Sequence, residues 1–354
     1  LLRIMLIAPL LFTISSVFGG IQNAFRTFWG FALAPVVYNA GIIFGILVLA
    51  PAFGIRGVVY GVVLGAALHA LVQLVPVIRL GFTWKPILRW TDSFRAFLTM
   101  AIPRILSMAS VQLNFFIEGI IATTVAAGQL TVLRYAQDIQ SFPIGIIGVS
   151  IAISSFSIFT NLALEKRRPE IISYLKDKLS HLLLLLIPAS VGLYLIREPI
   201  AVLILQGGVF DRDSTLLTAE ILGYLCIGLV AGAIMPLIAR VFFVFHDTWS
   251  PFFVMIITVL GNTTLALILA PSLGVIGIGL ASAISTSVSV LILIVLLASA
   301  HLKTISFFPL RDTAVFLLGS LGMGFFLQQL SQLMPWASDT LPLLGQILVF
   351  TILG

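Results

Sequence analysis

Three charged side chains stand inside long apolar runs: Arg104 in "MAIPRILSMAS", Glu118 in "QLNFFIEGIIATT" and Asp138 in "RYAQDIQSFPIG". Charge is costly in such surroundings, and where it is kept it marks a polar path or site. A guanidinium matches phosphate with two parallel hydrogen bonds, so Arg104 reads as an anion clamp beside a helix-loosening Pro103. The competing reading is an interfacial anchor, because Arg104 sits only about a turn and a half inside its run. Glu118 follows about 21 Å further along the same helix. Counted inward from the short turn near 126–130, Glu118 and Asp138 come to similar depth on adjacent antiparallel helices. Two carboxylates in a low-dielectric wall do not both stay charged and unpaired. Either one holds a proton, or a cation bridges them with help from Asn262 and Ser282, oxygen ligands suited to a hard ion such as sodium. Glu118, Asn262 and Ser282 are therefore candidate ion-coupling residues for Na+ or H+. Arg104, Asn39, Gln112 and Asp138 are candidate substrate-binding residues, and Gln112, Asn114, Gln137 and Gln140 suggest a wet wall around them.

Plainer readings stand beside these. Asp138 has Arg134 four residues before it and can pair along its own helix. Asn39 and Asn262 can serve as hydrogen bonds between helices. His69 is alone in its run and reads as packed and neutral. Catalysis finds little support: there is no H-E-x-x-H, no G-x-S-x-G, no Walker loop, and the four histidines are scattered. No metal-ligand cluster or cofactor motif is present, and the single Cys226 allows no internal disulfide. Movement of a substrate fits these residues better than bond chemistry.

The elements that must position them are membrane helices. Of 354 residues, 60% are hydrophobic and 9% charged, against roughly 25% charged in soluble domains. The mean hydropathy is +1.18, so the bilayer acts as solvent. Apolar runs fall at about 1–24, 32–52, 56–78, 99–125, 131–163, 179–197, 214–245, 250–271, 274–299 and 313–333, with an eleventh, cut, from about 341. The runs are continuous rather than alternating, which excludes a membrane β-barrel. The fold class is an all-α polytopic membrane protein.

Assigning the loops alternately to two sides separates the charge. One side collects Arg26, Arg79, Lys85, Arg89, Arg95, Lys166, Arg167, Arg168, Lys176, Lys178, Arg240, Lys303 and Arg311; the other holds Arg3, Arg56, Arg134, Arg197 and Arg212. The richer side is cytoplasmic, and the net charge of +6 needs no nucleic acid to explain it. The segment 165–178, "EKRRPEIISYLKDK", and a similar one at 84–96 are expected to lie along the cytoplasmic surface against anionic lipid.

A repeat fixes the register. "ILVLAPAFGIRG" at 46–57 returns as "ALILAPSLGVIG" at 266–277, each joining two apolar helices through a Pro-Gly turn. The period is six helices in the same membrane direction, a plan of two parallel halves known among transporters. The expected organisation is then 1–78 as the end of a first lobe, 79–98 as a cytoplasmic linker, 99–299 as a complete six-helix second lobe, and 300–354 as two extra helices. Three helices are expected before residue 1, which agrees with a first run that starts outside. Asn39 and Asn262 fall near equivalent places in this repeat. Gly319, Gly322 and Gly324 would let the tenth helix pack closely or open a groove for a lipid tail.

Five stretches carry a resemblance: "NAFRTFWGFALAPVVYNAGII" (23–43), "RYAQDIQSFPIGIIGVSIA" (134–152), "GGVFDRDSTLLTAEILGYLCIGL" (207–229), "ARVFFVFHDTWSP" (239–251) and "LGVIGIGLASAIS" (273–285). In these the chain resembles the MurJ (MviN) lipid II flippases of the MOP exporter superfamily, most specifically in Arg240, Phe242, His246, Asp247, Thr248 and Pro251. The resemblance implies fourteen helices in two lobes around a cationic cavity, with the last two forming a groove for a polyprenyl tail. It implies a bacterial cytoplasmic membrane protein that flips undecaprenyl-pyrophosphate-linked lipid II outward, with membrane lipids and cell-wall synthesis enzymes as further partners. One departure matters. Family members often carry an arginine just before "FP", where this chain has Asp138, so that residue's role does not transfer, and Arg104 is the candidate to compensate. The other readings are a different MOP exporter, for polysaccharide units or for drugs coupled to a cation, and a non-transporting scaffold.

Overall fold

The computed structural model describes residues 1–25, 27–82, 90–333 and 345–347. Arg26, Lys85 and Arg89, residues 84–89 of the segment 84–96, and all but 345–347 of the run from about 341 lie outside them. Among the described residues, ten helices are long and apolar enough to cross a membrane. They are α1 (Leu2–Ala24), α2 (Trp29–Phe53), α3 (Ile55–Arg79), α4 (Asp92–Val125), α5 (Gln129–Leu164), α6 (Arg168–Leu195), α7 (Arg212–Val244), α8 (Trp249–Leu273), α9 (Val275–Leu302) and α10 (Leu310–Leu333). Many large apolar side chains point outward, such as Phe116, Leu260 and Leu318, as helices solvated by lipid require.

The chain divides into two units, Leu1–Arg89 and Trp90–Gly354. In the first, α3 packs along α2 and against α1. His69 of α3 bonds the buried Ser15 hydroxyl of α1 at 2.8 Å and sits between Phe12 and Tyr38. In the second unit α7 is the central helix, with α5, α6 and α9 around it, while α8 packs between α4 and α9. Its core runs from Leu222 and Leu225 to Leu237, Val241 and Phe242, all buried. The tenth helix packs on α6 as part of this unit.

The repeated phrase becomes a repeated turn. Gly54 between α2 and α3 has φ 59° and ψ −142°; Gly274 between α8 and α9 has φ 61° and ψ −144°. An L side chain rarely enters that region, which explains the glycine. Each turn is closed the same way, by Gly54 N–H to Ala50 O at 2.8 Å and Gly274 N–H to Ala270 O at 2.9 Å. One turn later a Cβ on Gly57 or Gly277 would fall 2.3 Å or 2.7 Å from the backbone of Leu49 or Leu269. The glycines let the two helices of each pair leave the turn in contact.

One expectation about the basic segments is corrected. Residues 168–178 do not form a separate surface element; they are the first turns of α6, which runs unbroken from Arg168. Pro169 fits the first turn of a helix, and Ile171, Leu175 and Leu179 form a buried stripe continuous with Leu182 and Leu186. Only 165–167 turn, held by Arg167 between Glu165 and Glu170. Likewise α4 begins at Asp92, capped by the Thr91 hydroxyl, which accepts from Phe94 N–H at 3.2 Å.

Candidate functional site

Glu118 is the most enclosed charge of the second unit, 1% exposed. Four donors converge on it. Asn114, one turn earlier on α4, gives its amide to Oε1 at 2.9 Å. Asn262 of α8 gives its amide to the same oxygen at 2.6 Å, and to the Asn114 side-chain oxygen at 2.8 Å. Gln137 of α5 bonds Oε2 at 2.9 Å. Arg134, one turn before Gln137, brings Nη1 to 3.8 Å from Oε2. Three helices thus meet on one carboxylate, which offsets much of the cost of burying it.

Arg134 is itself well held. It donates to Gln137 Oε1 at 2.8 Å and to the Phe115 carbonyl at 2.5 Å, and lies 4.7 Å over the Phe115 ring. Beside it is a cavity of about 430 Å³, lined among others by Gln112, Phe116, Thr123 and Arg134. Gln112 shares this cavity with Arg134 and Thr123, but the rest of its lining is apolar, with Phe115, Phe116, Ile120 and Leu130.

The structure does not bring Glu118 and Asp138 together. Asp138 is exposed and its side chain has no hydrogen bond or ion pair among the described residues. The pair Arg134–Asp138 does not form either. Arg134 turns to Glu118 instead, because a buried carboxylate needs a counter-charge that an exposed one obtains from solvent. Ser282 is half-buried on α9 and makes no hydrogen bond to Glu118 or Asn262; the serines of that helix buried against α8 are Ser285 and Ser289, the latter 2.5 Å from Thr258. Asn39 lies in the first unit, exposed, with its amide on the Pro35 carbonyl of its own helix at 3.0 Å. With Gly54 matched to Gly274, Asn39 falls opposite Val259 and Asn262 opposite Ile42, about one turn apart.

Sequence reasoning passed over Arg134 as the partner of Glu118. The signal was present: Asn114 and Glu118 are spaced i,i+4 on one helix, and Arg134 and Gln137 i,i+3 on the next, so each pair shares a face.

At the basic ends of the helices the "ARVFFVFHDTWSP" stretch makes a second polar knot. Asp247 accepts from Ser250 N–H at 2.9 Å, from the Ser250 hydroxyl at 2.7 Å and from His301 Nε2 at 2.9 Å. It caps the start of α8 and ties it to the end of α9, where the His301 ring stacks on Phe245. Burial works to raise the Asp247 pKa, but the two Ser250 bonds and His301 outweigh it and hold the carboxyl below its ordinary range. Arg104 of α4 is exposed and lies 5.6 Å over the Phe243 ring of α7.

The comparisons with known proteins agree. The family model "Lipid II flippase MurJ" matches residues 1–344. The probable lipid II flippase MurJ of Borreliella burgdorferi is 26% identical over 249 residues, 70% of this chain and 49% of that protein. Those of Thermotoga maritima and Rhizobium meliloti are 28% and 29% identical, covering 75% and 76% of this chain and 53% and 51% of theirs. A solved structure of a lipid II flippase MurJ in an inward closed conformation superposes with a TM-score of 0.79 at 26% identity, over 99% of this chain and 72% of that one. A MOP superfamily transporter from Pyrococcus furiosus, 16% identical with a TM-score of 0.53 over 66% of this chain and 53% of its own, shares the fold. The chain spans about half the length of the curated relatives it matches.

Proposed function

Because the chain belongs to the lipid II flippase MurJ family, we propose that the whole protein moves lipid II from the inner to the outer leaflet of the bacterial cytoplasmic membrane by alternating access. The observation that carries this is the family match over nearly the whole chain, joined to a solved MurJ structure that follows 99% of it. The rival MOP exporters are represented by folds at 16% identity, which speak for architecture alone.

In this reading the second unit moves as one body. The Glu118 knot joins α4, α5 and α8, and α7 packs the rest around itself. Alternating access in such carriers is largely rocking of rigid halves, and a body cross-linked in its interior is suited to that. A cavity of about 400 Å³ among α6, α7 and α10, lined by Val191, Ile227, Leu321, Gly324 and Phe325 among others, is an apolar place for part of the polyprenyl tail. Gln112 beside Arg134 offers a polar contact to the headgroup.

The test is transport. Full-length protein reconstituted in liposomes with fluorescent lipid II should move the label from a leaflet that an outside quencher reaches to one it does not, or the reverse, faster than empty liposomes do. Equal rates with and without protein would overturn the proposal, and preference for a drug-like cation over lipid II would return it to the other MOP exporters.

A further inference from the structure

Arg104 and Arg240 come from different helices to the same corner of the second unit. Arg240 lies four residues before the basic end of α7, and Phe243, one turn on, carries the Arg104 guanidinium above its ring at 5.6 Å. Through Phe243 the two positive charges come to about one helical turn of each other along α7. Neither guanidinium has a hydrogen bond or an ion pair with any described residue, and Nη1 of Arg240 is buried with no partner. Arg134, Arg167 and Arg197 of this unit find partners, and Arg95, Arg168, Arg212 and Arg311 are exposed; Arg240 differs in having a buried guanidinium nitrogen without one.

A fold gains nothing by holding two unpaired like charges together with one N–H shut away from water. An anion between them reverses the balance, because each guanidinium offers a rigid fork that fits phosphate oxygens. The flanks indicate how the anion arrives. Ile102 and Ile105, on either side of Arg104, are 47% and 62% exposed, so the approach is apolar at the depth of the charge. A ligand with a phosphate head and a hydrocarbon body meets both surfaces.

We propose that Arg104 and Arg240 form a two-arginine site for a lipid-borne phosphate or pyrophosphate at the cytoplasmic end of α4 and α7. Only the choice of a polyprenyl pyrophosphate as its occupant rests on the flippase reading. The site is separate from the Glu118 knot, which lies toward the other end of α4.

The experiment compares full-length parent, Arg104→Gln, Arg240→Gln and Arg104→Lys in detergent, with three probes: undecaprenyl pyrophosphate, phosphatidylglycerol and inorganic pyrophosphate. Bound lipid is counted by native mass spectrometry and thermal unfolding is followed in parallel. Undecaprenyl pyrophosphate should bind the parent and raise its Tm. Each glutamine variant should bind it about tenfold or more weakly, the equivalent of one charge-assisted bond, and the lysine variant should fall between. Without probe, Arg104→Gln should melt at or above the parent, since repulsion is relieved, which separates lost binding from lost folding. Unchanged affinity in both glutamine variants would overturn the site. Equal binding of inorganic pyrophosphate would overturn the lipid as its source, and stronger binding of phosphatidylglycerol would overturn the polyprenyl occupant. Transport of lipid II by the parent is measured separately: failure there with arginine-dependent binding intact sinks the flippase reading and leaves the site standing.

Discussion

Asn262 donates its side-chain amide to the Glu118 carboxylate across 2.6 Å, joining α8 to α4 between residues 144 positions apart. The same carboxylate holds α5 through Gln137 and Arg134. Glu118→Ala would take an acceptor from three amides and the counter-charge from Arg134. It should destabilise the second unit by about 3–5 kcal/mol, the usual cost of breaking a buried pair. Glu118→Gln should cost less, because one oxygen remains. Chemical unfolding in detergent measures both. An alanine variant as stable as the parent would show that the knot does not hold the helices.

Asp138 is the control on the neighbouring helix. It is exposed and its side chain bonds nothing described, so Asp138→Asn should change stability by less than about 0.5 kcal/mol. Unchanged stability together with lost lipid II transport would assign Asp138 a contact with substrate.

Arg134 offers Glu118 the positive charge for which the sequence reading looked to a proton or a bridging cation. The parent's Tm should therefore be the same in sodium and potassium at equal ionic strength. Arg134→Gln frees one charge on Glu118, and the variant should be stabilised by sodium or by lowering the pH. A sodium response in the parent that Glu118→Gln abolishes would show that an ion enters despite Arg134.

The repeated turn predicts a matched pair of effects. Gly274→Ala forces an L residue to φ 61° and ψ −144°, at a cost of roughly 1–3 kcal/mol. Gly277→Ala keeps an ordinary helical backbone but drives a Cβ to 2.7 Å from the Leu269 backbone, and should part α8 from α9 at a similar or greater cost. Gly54→Ala and Gly57→Ala should repeat the pattern in the first unit. Thermal unfolding of the four variants decides it, and neutral substitutions would show that the turn tolerates other backbones.

Asp247 gives a pH dependence with a definite sign. Its carboxyl is held below the ordinary range by Ser250 and His301 against the opposing pull of burial. The stability it contributes is present above its unfolded pKa, near 3.9, and is lost as pH falls through the lower folded value. Acid below about pH 4 should loosen the start of α8, seen as faster amide exchange at Ser250. Asp247→Ala should remove that acid transition and cost about 1 kcal/mol for the lost cap. An acid transition unchanged in the variant would place it elsewhere.

Much of this was written in the one-dimensional pattern. Apolar runs mark helices because a bilayer leaves the backbone no partner but itself, and ten described helices fall on the ten full runs read from the sequence. The Pro-Gly phrase at 46–57 and 266–277 determined two turns of one geometry, since a backbone shape open to glycine alone leaves a glycine in the sequence. Which face each helix turns inward was not written there: all-round apolar helices carry little amphipathic signal. The partner of Glu118 was therefore decided by packing. Arg134 had an acid four residues away on its own helix and another across the bundle, and the tertiary structure gave it to the one that was buried. Arg104 and Arg240 stand 136 positions apart, and only the folding of α4 and α7 into one unit brought Arg104 over Phe243, one turn from Arg240.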